Sequence, residues 1–231
     1  MIPKLHYISQ GNSANEQHAN IQKACASGIE LVLLDVQNYS DKKLLKLAKQ
    51  ARETTAHYQT RLIIANHYKI AKEIKADGVH LVNLGVCPSH VMKELYSWQI
   101  IGATANNLKS CETFISKEVD YIYLSLFESP NLETSIEKVL NLNGYKAILE
   151  TLNTKTPILA SGSINIMTVT NILETGISGV AVSDEITQEL AKKDHLVIMV
   201  THDKYLARDY STRIVHIQDG AIKDDHIVQE V

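Results

Sequence analysis

Eight short apolar, β-branched runs recur along this chain, and they limit its fold more than any other feature. They are LHYIS (5–9), LVLLDV (31–36), RLIIAN (61–66), GVHLV (78–82), QIIGATA (99–105), YIYLSLF (121–127), PILASGS (157–163) and GVAVS (179–183). Between them lie stretches such as NEQHANIQKACASG (15–28) and DKKLLKLAKQARETTAHY (41–58), whose apolar residues return every three or four positions. That is the period of a helix with one buried face. Gly28 and Gly176 fall where a helix must stop and a strand begin, the place of a left-handed carboxyl-terminal cap. Because the runs are almost continuously apolar rather than alternating, both faces of the sheet must be covered, as in a parallel sheet. The expected fold is α/β, a (β/α)8 TIM barrel. An open doubly wound sheet would use the same alternation, but the count of eight and the short final units favour closure.

Bulk properties agree with one such unit plus an appendage. A chain of 231 residues with 45% hydrophobic content can bury a core of that size, and its net charge of −3 without a Lys/Arg-dense face gives no footprint for nucleic acid. No run of eighteen apolar residues occurs, and the amino terminus lacks a basic stretch followed by a long apolar one. A cytoplasmic protein without a membrane partner is expected. Cys25, Cys87 and Cys111 are odd in number and far apart, which indicates neither a disulfide framework nor a zinc knuckle. Oligomeric state is left open, a homo-oligomer included.

A barrel of this kind carries its active site at the carboxyl ends of its strands, so the residues that matter close each run. They are Asp35, Gln37 and Asn38 after the second, Asn66 and His67 after the third, and Asn83 after the fourth. Thr104 and Asn106 belong to the fifth, Ser125 and Glu128 to the sixth, and Gly162, Ser163, Val182 and Ser183 to the last two. Loops after the seventh and eighth strands commonly hold a phosphate, because backbone N–H groups converge there. A glycine at 162 lets the backbone approach an anion, and Ser163 and Ser183 add hydroxyl donors. The same ASGSI sequence also suits a plain strand-to-helix turn.

In order and spacing, LVLLDVQN, RLIIANH, ADGVHLVN, IIGATANN, DYIYLSLFESP, PILASGSI and ISGVAVSDEI resemble the pattern of thiamine phosphate synthases and their TenI-like relatives over about residues 5–186. The resemblance implies the barrel already inferred and a reaction joining a pyrimidine diphosphate to a thiazole phosphate with magnesium. It also implies that much of the synthase machinery is missing. Where the family carries a Gln-Leu-Arg-x-Lys grip on the diphosphate, this chain has Leu33, Leu34, Asp35, Val36 and Gln37. An acid there repels a diphosphate. The family's Asn-Asp pair falls on Ala65 and Asn66, its next metal-binding Asp on Gly85, and its strand-six lysine is absent from FESPNLET. Only the thiazole-phosphate half, Gly162 with Val182 and Ser183, matches. The expected ligand is thus a small phosphorylated thiazole-like molecule, held by Gly162, Ser163, Val182, Ser183, Asn66, Asn83, Thr104 and Ser125. No metal is expected, magnesium entering only if synthase activity survives. Whether the chain is an enzyme is left open between transferase, thiazole tautomerase and an inactive, ligand-sensing or interaction protein. No catalytic residue is assigned. Where TenI-like members carry a histidine after strand six, this chain has Ser125. His67 and Glu128 are the candidate substitutes, each with a surface role as its ordinary reading, and His80 is expected to serve packing and hydrogen bonding.

The barrel is expected to occupy residues 1–190, and residues 191–231 resemble the end of an ATP-binding-cassette ATPase. VIMVTHD (197–203) with His202 and Asp203, then RIVHIQDGAI (213–222) around the Asp219-Gly220 turn, carry that likeness and predict a strand-helix-hairpin appendage. Yet no G-x-x-x-x-G-K-[ST] phosphate loop and no LSGGQ occur anywhere in the chain, so ATP hydrolysis is not expected.

Overall fold

The computed structural model describes residues 1–82, 86–126, 142–162, 164, 168–183, 213–218 and 221–227. Eight strands close a parallel barrel: β1 (Leu5–Ile8), β2 (Leu31–Leu34), β3 (Arg61–Ala65), β4 (Gly78–Leu81), β5 (Ile100–Ala105), β6 (Tyr121–Leu126), β7 (Ile158–Gly162) and β8 (Gly179–Val182). Closure is made by β1 against β8, with His6 opposite Ala181. Among the described residues, seven helices alternate with them: α1 (Ala14–Ala26), α2 (Asp41–His57), α3 (Tyr68–Glu73), α4 (Pro88–Glu94), α5 (Leu108–Ser116), α6 (Leu142–Thr151) and α7 (Val169–Leu173). The (β/α)8 expectation therefore holds, and each apolar run forms its strand.

Local chemistry sets the boundaries. Ser13 and Ser40 accept from the third backbone N–H beyond them and start α1 and α2, while Asn107 and Ser110 form a reciprocal capping box on α5. Helix α1 ends as its pattern required: Gly28 stands at φ +84, its N–H donating to Cys25 O while Ile29 N–H donates to Ala24 O. Most ladders stop one or two residues before their apolar runs do, because Ser9, Asp35, Asn66, Val82 and Ser183 leave the sheet to line the mouth.

Strand residues divide by parity into two cores. Outward side chains such as Val32, Leu62, Ile64, Val79, Ile101 and Ile122 pack under the helices with Leu44, Leu47, Phe114 and Tyr145. Inward ones, Leu31, Leu33, Ile63, Ala65, Tyr121, Tyr123, Leu159 and Ala181, fill the barrel. The amino-terminal segment covers its lower end, where Ile2 packs on that inner cluster and Arg61 donates to the Met1 carbonyl at 2.7 Å.

Strands β9 (Arg213–Gln218) and β10 (Ala221–Ile227) form an antiparallel pair, irregular between Ile222 and Asp224, and pair with no barrel strand among the described residues. This is the expected hairpin. The preceding strand and helix of the appendage, with His202 and Asp203, lie outside the described residues, as do Asp219 and Gly220.

Candidate functional site at the barrel mouth

Register fixes which side chains reach the mouth. On β6 and β7, Ser125 lies opposite Ser161, one layer above the inward pair Tyr123 and Leu159. On β5, Thr104 follows the inward Gly102 and pairs with Tyr123. On β2, Asp35 continues the inward series Leu31 and Leu33, and its N–H donates to Ser9 Oγ at 3.2 Å. Ser183 continues the inward series Gly179 and Ala181 on β8. The mouth is thus ringed by hydroxyls on one side and by a carboxylate on β2.

Gly162 ends β7 at φ +115, a conformation that side chains rarely adopt, and its carbonyl accepts the Ile164 N–H at 2.7 Å. It is solvent-exposed, so an anion has access to the backbone of this turn. Val182 is placed differently from what a ligand-touching side chain requires: it is buried in the helix-facing core, leaving only its backbone toward the mouth. Ser163, Asn83 and Glu128 lie outside the described residues. Ser161 was not among the sequence candidates, although its spacing of two from Leu159 marks it as inward.

Asn66 has a structural task. At φ 57 it takes the left-handed conformation that asparagine tolerates, its N–H donates to His80 O at 2.8 Å, and its Oδ1 accepts Val82 N–H at 2.9 Å. It pins the end of β4 and spends its side-chain oxygen there. His67, at the entry to α3, faces Asp41 across 3.8 Å on the surface side rather than entering the barrel. Asp35 is then the single carboxylate at a strand end among the described residues, and no group of three or more His, Cys, Asp or Glu side chains among them is arranged for a metal ion. Among the described residues, this donor set does not by itself make a magnesium site.

Below the mouth, the inner core is polar. His6 Nδ1 lies 2.7 Å from Tyr123 Oη and His6 Nε2 lies 3.0 Å from the Pro3 carbonyl. His80 Nδ1 lies 3.1 Å from Tyr121 Oη, and its Nε2 lies 2.8 Å from Thr104 Oγ1. The rings of His80 and Tyr123 lie 4.2 Å apart between centroids. Burial pushes His6 down to about 4 and His80 down to about 3, so both imidazoles are neutral near pH 7. Burial likewise drives Tyr121 and Tyr123 above the ordinary phenol value. The expectation that His80 serves packing and hydrogen bonding is met. Asp35 shifts upward for the same reason.

Residues 5–186 match the family described as thiamine monophosphate synthase. Among curated proteins, the chain is 32% identical over 210 residues to a thiamine-phosphate synthase of Flavobacterium johnsoniae, covering 90% of this chain and 98% of that one. It is 31% identical over 179 residues to one of Methanococcus maripaludis, covering 78% and 84%. Among solved structures, a thiamine phosphate pyrophosphorylase from Pyrococcus furiosus superposes with a TM-score of 0.71 at 23% identity, covering 82% of this chain and 94% of that one.

Proposed function

Because this chain belongs to the thiamine monophosphate synthase family, we propose that its barrel mouth binds a small phosphorylated thiazole-like ligand without performing transfer from a diphosphate. The observation carrying this reading is the asymmetry of the mouth. Toward β7 and β8 it offers an exposed backbone turn at Gly162 and the Ser125, Ser161 and Ser183 hydroxyls. Toward β2 it offers Asp35, whose carboxylate has no cationic or hydrogen-bonding partner among the described residues. A phosphate fits the first side and a diphosphate is repelled by the second: two unit charges 4 Å apart interact by about 4 kcal/mol at an effective dielectric of 20.

Should the ligand also react, a proton shift within the thiazole is the chemistry this mouth supports. The buried imidazoles are neutral and tied into the core, and His67 is held outside the barrel. Asp35, raised by burial, is the titratable group positioned to accept and return a proton. A ligand-sensing role is the second reading, favoured by Ser125, a residue that does not titrate, at the end of β6. The barrel unit is proposed to end near residue 190, with no nucleotide chemistry assigned to the tail.

Calorimetric titration of the full chain with the thiazole phosphate, and separately with the pyrimidine diphosphate plus magnesium, tests this reading. Saturable binding of the first and not the second, lost in Gly162→Asp, is the expected result. Tight diphosphate binding would sink it. Turnover in a tautomerisation assay that disappears in Asp35→Asn, with binding kept, separates the enzyme from the sensor.

A further inference from the structure

Strands β1 and β2 part at the mouth, and one side chain carries their ladder a step further than their backbones do. The Ser9 N–H donates to the Leu33 carbonyl at 2.9 Å, an ordinary parallel rung. The next rung would take the Asp35 N–H to the Ser9 carbonyl. It goes instead to Ser9 Oγ at 3.2 Å, and among the described residues this is the one hydrogen bond that residue 35 makes. On the other side, β2 last pairs at Leu34 with Ile64, and Asn66 gives its N–H to His80 O on β4. Residue 35 is thus held in strand register from β1 only.

Ser9 is itself well anchored. Helix α1 straps the turn that follows it: Gln17 Nε2 donates to the Gly11 carbonyl at 3.0 Å, Asn20 Nδ2 donates to the Gln10 carbonyl at 3.1 Å, and Glu16 Oε2 accepts the Asn12 N–H at 2.8 Å. Ser9 shares the outward parity of Leu5 and Tyr7 and is 4% exposed, so it acts on a ligand only through its neighbour. Asp35 needs such a hold. Its half-buried carboxyl is opposed by burial and has no partner among the described residues, so a freed Asp35 gains by turning out to water.

We propose that Ser9 is the positioning residue for Asp35: its hydroxyl oxygen, standing in for a strand carbonyl, keeps the Asp35 carboxyl inside the mouth, where it selects phosphate monoesters over diphosphates. The selectivity half rests on the phosphate reading above, whereas the hold on residue 35 does not. Threonine keeps the oxygen that does this and alanine removes it.

Amide hydrogen exchange in the full chain, followed by NMR for the parent, Ser9→Ala and Ser9→Thr, tests the hold. The Asp35 amide should be protected in the parent and in Ser9→Thr and exchange about tenfold faster in Ser9→Ala. The Val32, Leu33 and Leu34 amides should keep their protection in all three and so report an intact barrel. Equal exchange at Asp35 in the parent and Ser9→Ala overturns the proposal. Calorimetry with pyrophosphate and with ethyl phosphate tests the selectivity. Ser9→Ala should bind pyrophosphate about threefold more tightly than the parent, with ethyl phosphate affinity unchanged and the parent's preference restored in Ser9→Thr. In the Asp35→Asn background the gain from Ser9→Ala should vanish, because no charge is left to position. A gain of equal size in both backgrounds means that Ser9 does not act through Asp35 and overturns the positioning role. If neither anion binds any variant while the Asp35 amide follows the hydroxyl, the phosphate reading has failed and the selectivity with it, and the hold on residue 35 stands.

Discussion

Thr104 Oγ1 lies 2.8 Å from Nε2 of His80, and that contact joins the half-exposed mouth to a fully buried core. It exists because Gly102, opposite His80 in the ladder, has no side chain. A Cβ built at 102 would collide with the Tyr121 ring and with His80 Nδ1.

Gly102→Ala should accordingly cost about 3 kcal/mol, at the upper end of small-to-large changes in a packed core. The rings it displaces are fixed on both sides, so nothing yields cheaply. Urea unfolding of the variant gives the figure; a loss under about 0.5 kcal/mol would mean that the His80–Tyr121 contact is loose.

The buried imidazoles make stability depend on pH with a definite sign. His6 and His80 are depressed to about 4 and about 3 by burial, from 6.5 in the unfolded chain. Above pH 6.5 neither state binds these protons and nothing is lost. As pH falls below 6.5 the unfolded chain takes up protons that the native state refuses, and stability declines by up to about 1.4 kcal/mol per pH unit for each histidine. The decline ends as pH passes through 4 for His6 and 3 for His80. Together they remove about 4 kcal/mol between pH 7 and pH 5. Denaturant titrations at those two pH values check this, and His67→Gln, on the surface, should leave the difference unchanged.

The barrel was legible in the sequence because its physics is repetitive. Runs such as LVLL and RLIIA must be covered on both faces, and Gly28 announced the end of α1 before the structure placed it at φ +84. Side-chain direction at the mouth was legible only in part. Asn66 follows β3 and Val182 ends β8, much as Thr104 stands near the end of β5, yet the first spends its oxygen on Val82 N–H and the second faces the helices. Ser161 could have been found by counting two residues from Leu159, since inward parity survives to the last residue of a strand. A hydrogen-bonding role was legible for His80 but not its partners, and the contact of His6 with Tyr123 was not legible at all. It joins residues 117 apart in sequence, and only barrel closure brings them together.

At the lower end of the barrel, Asp77 is expected to matter more than its ion pair. Its Oδ2 accepts both from Arg52 Nη1 at 2.6 Å and from the Leu62 N–H at 2.8 Å. Asp77→Ala removes both bonds and strands a backbone donor at the start of β3, costing about 2 kcal/mol. Arg52→Ala leaves the backbone bond intact and removes a half-exposed pair, so it should cost about 1 kcal/mol or less. Equal losses in the two variants would place the energy in the ion pair.

Asp35 offers the sharpest contrast between stability and function. Its carboxyl is raised by burial, so the native state holds its proton more tightly than the unfolded chain does. A raised acid penalises folding once both states would ionise, and the penalty fades as pH falls through the native value. Asp35→Asn keeps the shape and removes the charge, so the variant should be more stable than the parent at pH 8 and indistinguishable from it once Asp35 is protonated. The same change removes the repulsion at the β2 side of the mouth. Affinity for pyrophosphate should rise at least about tenfold, equivalent to about 1.4 kcal/mol, and the gain should shrink as salt is added. Parallel unfolding and calorimetry on this one variant decide the matter. A variant that is less stable at pH 8 and no better at binding pyrophosphate would mean that Asp35 has a partner in the fold and does not face the ligand.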